Sequence, residues 1–373
     1  MRLLFLYDTS ITKRFESACS TSGLSRRQAL EGGALVRKEA VISSQIEGTQ
    51  ATLMDLLAFE AAGKAESDGT ADIEEVCNYL DALNFARRQL HNPRGLSVSV
   101  RLLNETHRRL MKGVRGAEKR PGELRRSQNW IGGTRPGNAA YVPPPAHAVG
   151  ELLNQVEKFI HGKSDLPALV RAGLVHVQFE TIHPYLDGNG RIGRLLITLL
   201  FEHWGVLSQP LLYLSLFFKR NRAEYYRRLD SVRAAGDFEG WIEFFLEGVS
   251  VIADEAVDTT RDLFALVAAD RAKVLATPTT SVMAARLFEM LPEHPMVNIG
   301  NVVELLKTTK PTANKAVSAL VDAGVLGENS GRRRDRMFGY TAYMDRLRAG
   351  TELESEEHLP VPPKTSMSPS RQR

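Results

Sequence analysis

The chain has 373 residues, 43% of them hydrophobic and 25% charged, which suits a soluble globular protein of two or three domains with ample core. Its net charge of +4 permits nucleic acid as a partner without demanding it, and two cysteines, Cys19 and Cys77, exclude a disulfide framework and fit a reducing cytosol. Leu3 to Leu6 is too short an apolar run for a signal peptide and Asp8 interrupts it. No stretch reaches the ~18 apolar residues of a membrane span, so the expectation is a cytoplasmic protein.

After an irregular start, Ala29 to Ile46 has the composition of a helix, with Glu47 and a stop glycine, Gly48, at its end. Thr52, with Asp55 three residues later, predicts a capped helix over Leu53 to Ala62. Residues 63–71 read as a small polar connector. Helices follow over Asp72 to Leu90 and Val98 to Lys112, the latter stopped by Gly113. The basic residues from Arg101 to Arg126 are interleaved with Glu105, Glu118 and Glu123 and read as a solvated face.

Gly122 to Pro145 reads as strand and loop. Two extended arms, around Asn129-Trp130-Ile131-Gly132 and Ala140-Tyr141-Val142, flank a Gly/Pro turn, and Pro143 to Pro145 end the hairpin in extended form. Trp130 serves equally well as a core anchor. A lone hairpin in a helical chain has an exposed edge that invites a partner strand.

Leu166 to Ile182 carries the helical period, as do Leu195, Leu196, Leu199, Leu200 and Trp204 up to Gly205. Between them lies His183-Pro184-Tyr185-Leu186-Asp187-Gly188-Asn189-Gly190-Arg191-Ile192-Gly193-Arg194. A helix starting near Asn189 or Gly190 aims unpaired N–H groups outward, and Gly188 and Gly190 remove side chains that would block an anion. His183 is the loop's group for a proton near neutral pH. Asp187 offers a hard oxygen ligand for magnesium, and Arg191 and Arg194, three apart, both reach toward one polyphosphate end. A zinc-type site on His176 and His183 lacks a third ligand at usual spacing.

Pro210 to Phe218 is apolar, Lys219 to Arg233 amphipathic, and Trp241 to Ala268 a long helix. From about Ser281 a separate module begins, with helices over Ala284 to Leu291, Ile299 to Leu306 and Thr312 to Ala323. A small hairpin around the basic turn Gly331 to Arg336 follows, and Glu354 to Arg373 reads as a disordered tail.

His183 to Arg194 resembles the signature of the Fic family, H-P-F-x-D-G-N-G-R-x-x-R, with Tyr185 in the Phe position. The resemblance implies a protein adenylyltransferase that moves AMP from ATP onto Ser, Thr or Tyr hydroxyls of protein targets and of itself. By position, His183 would be the general base and Asp187 the Mg2+ ligand. Gly188, Asn189 and Gly190 would form the anion-holding turn, and Arg191, Ile192, Gly193 and Arg194 would continue the ATP-binding segment. A lysine at the Gly190 position would have marked the family's kinase-like branch. Ser43-x-x-x-Glu47-Gly48 resembles the family's inhibitory motif, in which Glu47 would pair with Arg194 at the place of the γ-phosphate. Asn129, Trp130, Ile131 and Gly132 match flap positions near the nucleotide, Tyr225 and Tyr226 fall where aromatics flank the adenine, and Arg233 where a polar contact stands.

The expected fold is thus mainly α: an N-terminal helical region (1–95), a Fic helical core with a β-hairpin flap (96–270), a winged helix-turn-helix (281–345) and a tail (346–373). The wing arginines Arg332, Arg333, Arg334 and Arg336 suit phosphate contacts, so DNA is admitted as a partner beside protein docking, as is a homodimer. Alternatives are another donor such as UTP, removal of AMP, or a DNA-binding regulator whose Fic part is a sensor.

Overall fold

The computed structural model describes residues 33–63, 71–328 and 336–353. Cys19, the start of the first helix, most of the 63–71 connector, Arg332 to Arg334 and the tail from Glu354 lie outside the described residues.

The first half is helical wherever apolar residues keep a 3.6 period. Helix α1 spans Ala34–Ile46, α2 Leu53–Ala62, α3 Ala71–His91 and α4 Val100–Leu110. Helix α2 starts as its sequence dictates: the Thr52 side chain accepts from the Asp55 N–H while the Asp55 carboxylate takes the Thr52 N–H at 2.8 Å. Helix α5, Val149–His161, has no counterpart in the sequence reading. Its apolar Val149, Leu153, Val156 and Ile160 have the period and are buried, but the three prolines before them draw the eye to extended chain.

Two helices form the centre. Helix α6, Ala168–Ile182, and α7, Asn189–His203, are joined by the signature loop and pack against each other. Ile192, Leu195, Leu196, Leu199 and Leu200 of α7 are all buried, because the helix has neighbours on every side. The stretch after it differs from the sequence reading. Asn221, at φ −113°, ψ 36°, splits it into α8, Ser215–Arg220, and α9, Arg222–Ala235. Helix α10, Phe238–Ala276, extends further at both ends than its apolar stripe implied.

The flap is slighter than a hairpin of two strands. Its arms meet in a single antiparallel bridge, Ile131 with Tyr141, closed by Ile131 N–H to Tyr141 O at 2.9 Å and Ala140 N–H to Ile131 O at 2.9 Å.

The C-terminal module runs α11 (Val282–Met290), β1 (Met296–Asn298), α12 (Ile299–Leu306), α13 (Lys310–Asp322), β2 (Gly327–Glu328), β3 (Met337–Gly339) and α14 (Thr341–Arg348). Its sheet is antiparallel in the order β1-β3-β2. The module does not hang free. Asn298 Nδ2 donates to Ala61 O at 2.8 Å, the Tyr340 hydroxyl donates to Asp270 Oδ2 at 2.8 Å, and the segment after α14 returns to α1.

The core around α6 is knit by aromatic rings. Trp241, fully buried, donates its indole N–H to Gly173 O at 2.8 Å and stacks on His176, whose ring also faces Phe218 and Tyr225. Trp241→Ala should therefore lower unfolding stability by about 3–5 kcal/mol, read by denaturant titration, through lost burial, the cavity and the orphaned carbonyl.

Candidate active site

His183 caps α6 in the left-handed conformation, φ 48°, ψ 64°, with its N–H on Phe179 O at 2.9 Å. The loop beyond it is held from beneath. Arg125 donates Nε to His183 O at 2.9 Å and Nη2 to Ile182 O and Pro144 O, while its own N–H bonds Pro184 O at 2.9 Å. Asn189 closes the loop on itself, Oδ1 accepting from Tyr185 N–H and Nδ2 donating to Tyr185 O, both at 2.8 Å. The ring of Tyr185 stacks on His107 at 3.9 Å and 6°. Because His107 Nδ1 accepts the Gly122 N–H, its proton sits on Nε2 and goes to Asp187 O at 3.0 Å. Burial pushes that imidazole down to about 4, so it stays neutral.

Gly188 is the N-cap of α7 at φ 74°. Over Gly190 lies the Glu47 carboxylate, so close that a Cβ there would collide with Oε1 and stand 3.0 Å from Arg194 Nη1. Arg194, 2% exposed, donates Nη2 to Glu47 Oε1 at 2.7 Å and to Ser43 O at 2.8 Å, and Nε to Ser43 Oγ at 2.9 Å. Burial alone would raise the Glu47 carboxyl; the Arg194 charge and hydrogen bond outweigh it and hold the group below the ordinary range.

His183 Nδ1 lies 3.9 Å from Glu180 Oε2. Burial, then the positive charge of Arg233, pushes the His183 imidazole down to about 4, which leaves it neutral near pH 7. Asp187 Oδ1 accepts the Gly188 N–H at 2.7 Å and Oδ2 the Lys119 ammonium at 2.9 Å; burial opposes ionisation, but these bonds keep its pKa below the usual value.

The other residues named from the sequence take several positions around the loop. Arg191 does not stand beside Arg194. Its guanidinium is buried against Glu75 Oε2 at 3.2 Å and Met111 Sδ at 3.5 Å. The side chain of Ile192 is in the core, and Asn129 sits under the loop, donating to Tyr185 O at 3.0 Å. Trp130 is exposed on the flap, with Ile131 in its bridge and Gly132 at the start of its turn. Tyr225 is buried with its hydroxyl 2.9 Å from His176 Nε2, whereas Tyr226 is exposed. Arg233 lies over the Tyr141 ring at 4.1 Å and donates to Glu180 O at 3.1 Å. Among the described residues no cluster of three His, Cys, Asp or Glu side chains could hold a metal ion by itself.

Residues 97–201 match the family model for the Fic/DOC family, and residues 23–88 that for the Fic/DOC family N-terminal region. In these two stretches the chain is similar to the Fic/DOC family. It is similar to the protein adenylyltransferases Fic of Drosophila erecta and Drosophila melanogaster, 29% and 28% identical over 170 residues. The match takes in 45% of this chain but only 31% of theirs. The fold resembles that of a Fic family protein from Desulfovibrio desulfuricans G20, with TM-score 0.55 and 20% identity over 89% of this chain and 95% of that one. It also resembles Fic-1 from C. elegans, with TM-score 0.53 and 20% identity over 70% and 75% of the two chains. No described helix is long and apolar enough to cross a membrane.

Three supports of the Fic loop escaped the sequence reading. Arg125 and Lys119 fall in the basic stretch read as a solvated face, yet Arg125 is 3% exposed and Lys119 is bound to Asp187. Their neighbours in sequence carry no sign of this. Glu75 is buried in α3 on a helix of otherwise ordinary polarity and accepts from Arg191, from Thr49 Oγ1 at 2.9 Å and, by charge, from Arg115 at 3.4 Å. Glu75→Ala should cost about 3–5 kcal/mol of unfolding stability, because it leaves a buried guanidinium unpaired. Chemical denaturation measures this, and a loss below ~1 kcal/mol would show that Arg191 finds another partner.

Proposed function

We propose that the chain is a protein adenylyltransferase held idle by Glu47. The observation that carries this reading is an anion already seated at the helix start: the Glu47 carboxylate lies over Gly190 and on Arg194, where a nucleotide phosphate would sit.

When Glu47 withdraws, the N-terminal turn of α7 and Arg194 are free to take the polyphosphate. His183 then accepts the proton of a protein Ser, Thr or Tyr hydroxyl as its oxygen bonds to the α-phosphorus of ATP. The bond to the bridging oxygen breaks, and pyrophosphate leaves with that electron pair. A neutral imidazole is ready for this step at pH 7. The N–H groups of Asn189 and Gly190 take up the charge that develops on the phosphoryl oxygens. Asp187 fits a divalent ion held by one carboxylate plus substrate phosphates, and the Lys119 ammonium on its Oδ2 already marks a cation position. When bound, Mg2+ would neutralise phosphate charge. Tyr226 and the exposed Trp130 and Gly132 of the flap border the site for nucleotide and target, whereas Tyr225, Ile192 and Asn129 serve as framework.

Incubation with labelled ATP or UTP and magnesium, with label sought on the protein by mass spectrometry, tests the activity and the donor. Glu47→Gly should raise self-modification well above the parent, and Arg194→Ala should abolish it even in that background. His183→Ala should keep nucleotide binding and lose transfer by ~10²–10⁴. A Glu47→Gly variant no more active than the parent, with ATP equally bound, removes the inhibitory role.

The C-terminal module reads as a winged helix: three helices with a strand after the first and a two-stranded wing after the third. Helix α13 presents Lys310, Asn314 and Lys315 to solvent, and Arg336 at the wing is exposed and paired with Glu328. Duplex DNA should bind at low salt with a log–log slope near −0.9 per phosphate contacted, measured by anisotropy. No binding at low salt leaves the module as a protein-docking element.

A further inference from the structure

Glu180 has no task in the mechanism above, and its placement is unfavourable on every count. It is an acidic residue in the last turn of α6, where the helix dipole repels negative charge. It is 5% exposed, and burial pushes its carboxyl up to about 7 against the pull of Arg194 and Arg233. Oε1 is buried without a hydrogen-bond partner, and so is His183 Nδ1. These two unmet needs belong to side chains that face each other, with Oε2 and Nδ1 3.9 Å apart.

The surroundings keep the pair in place. Glu180 rests on Gly193, where a Cβ would collide with Oε1. Arg233 pins the last turn by donating to Glu180 O at 3.1 Å. The Glu180 backbone carbonyl also borders the His183 ring but already takes Arg233 at 3.1 Å, and the other charged or titratable groups facing Glu180 cannot serve His183 as acceptor. Arg194 and Arg233 only donate, Glu47 is on Arg194, and the Tyr225 hydroxyl is taken by His176 Nε2. His176 is spent as well, since its Nδ1 bonds Gly193 O at 3.0 Å.

We propose that Glu180 is a positioning residue for His183: its side chain accepts the Nδ1 proton of the imidazole and so leaves Nε2 bare for the proton of the incoming hydroxyl. The pair closes by about 1 Å when substrate seats, since catalytic hydrogen bonds are often long before the reacting complex forms. This rests on the adenylyltransferase reading, in which His183 is the base.

The test uses the full chain carrying Glu47→Gly and nitrogen-labelled histidine, with Glu180→Leu, which keeps bulk without an acceptor, and Glu180→Gln, which keeps a neutral acceptor. Nuclear magnetic resonance reads the His183 tautomer, and steady-state kinetics reads transfer. Glu180→Leu should shift the tautomer away from Nδ1–H and lower kcat ~10²-fold with KM for ATP unchanged. Glu180→Gln should restore the Nδ1–H tautomer and most of kcat. Parent-like nitrogen signals in Glu180→Leu, or a Glu180→Gln variant whose tautomer is lost in the same way, overturn the proposal. If not even the Glu47→Gly parent transfers nucleotide, the adenylyltransferase reading fails, while the nitrogen signals still decide whether Glu180 sets the imidazole.

Discussion

A buried guanidinium is costly unless its charge and its protons are met, and the centre of this structure is arranged around that need for Arg194. Arg194 projects from the second turn of α7 into a space closed to solvent, where a lone positive charge would be costly. Ser43 supplies two neutral acceptors, and the charge is met directly by Glu47 at 2.7 Å. On the reading proposed here, carboxylate and phosphate compete for one cation, and the occupant decides whether the site is open.

Helix α1 is fixed from several directions at the turn that presents Glu47. Gln45 Nε2 donates to Ala51 O and Thr351 O, both at 2.8 Å, and its Oε1 accepts from Lys219 at 2.8 Å. Lys219 reaches on to Glu352 O at 2.6 Å, and Arg222 donates to Ile46 O at 3.0 Å. The chain leaving the C-terminal module thus touches the residue two positions from Glu47. A carboxylate held at its own helix end, on a turn packed this tightly, needs little ordering to stay on Arg194.

Buried charge is met in different ways elsewhere around the loop. Arg191 meets Glu75, and the fork of Arg125 is spent on backbone carbonyls of the signature loop and the proline segment. His107 avoids charge altogether and serves as a neutral donor to Asp187 O. The loop's backbone is therefore held by side chains from α4, the segment before the flap and the flap's Asn129, so that the start of α7 is set before any ligand arrives.

Much of the local structure was legible in the sequence because local bonds depend on spacing alone. Thr52 and Asp55 are three apart, and the capping box follows; Gly188 precedes a helical period, and α7 begins at Asn189. The signature itself placed His183, Asp187 and the glycines on one loop, and its resemblance to the family fixed the fold expected around them. Spacing could not say where long side chains end. Arg191 and Arg194 are three apart on one helix, yet one meets Glu75 in α3 and the other Glu47 after α1. Arg125 looks like any basic surface residue until the loop folds over it, and Tyr225 and Tyr226 part into core and surface only when α9 packs on α6. The two arginine–glutamate pairs join positions 116 and 147 residues apart, and the Arg125 and Tyr225 contacts span 58 and 49. Only the assembled helices decide which charges are buried together, because burial, rather than sequence neighbourhood, forces a charge to find its partner.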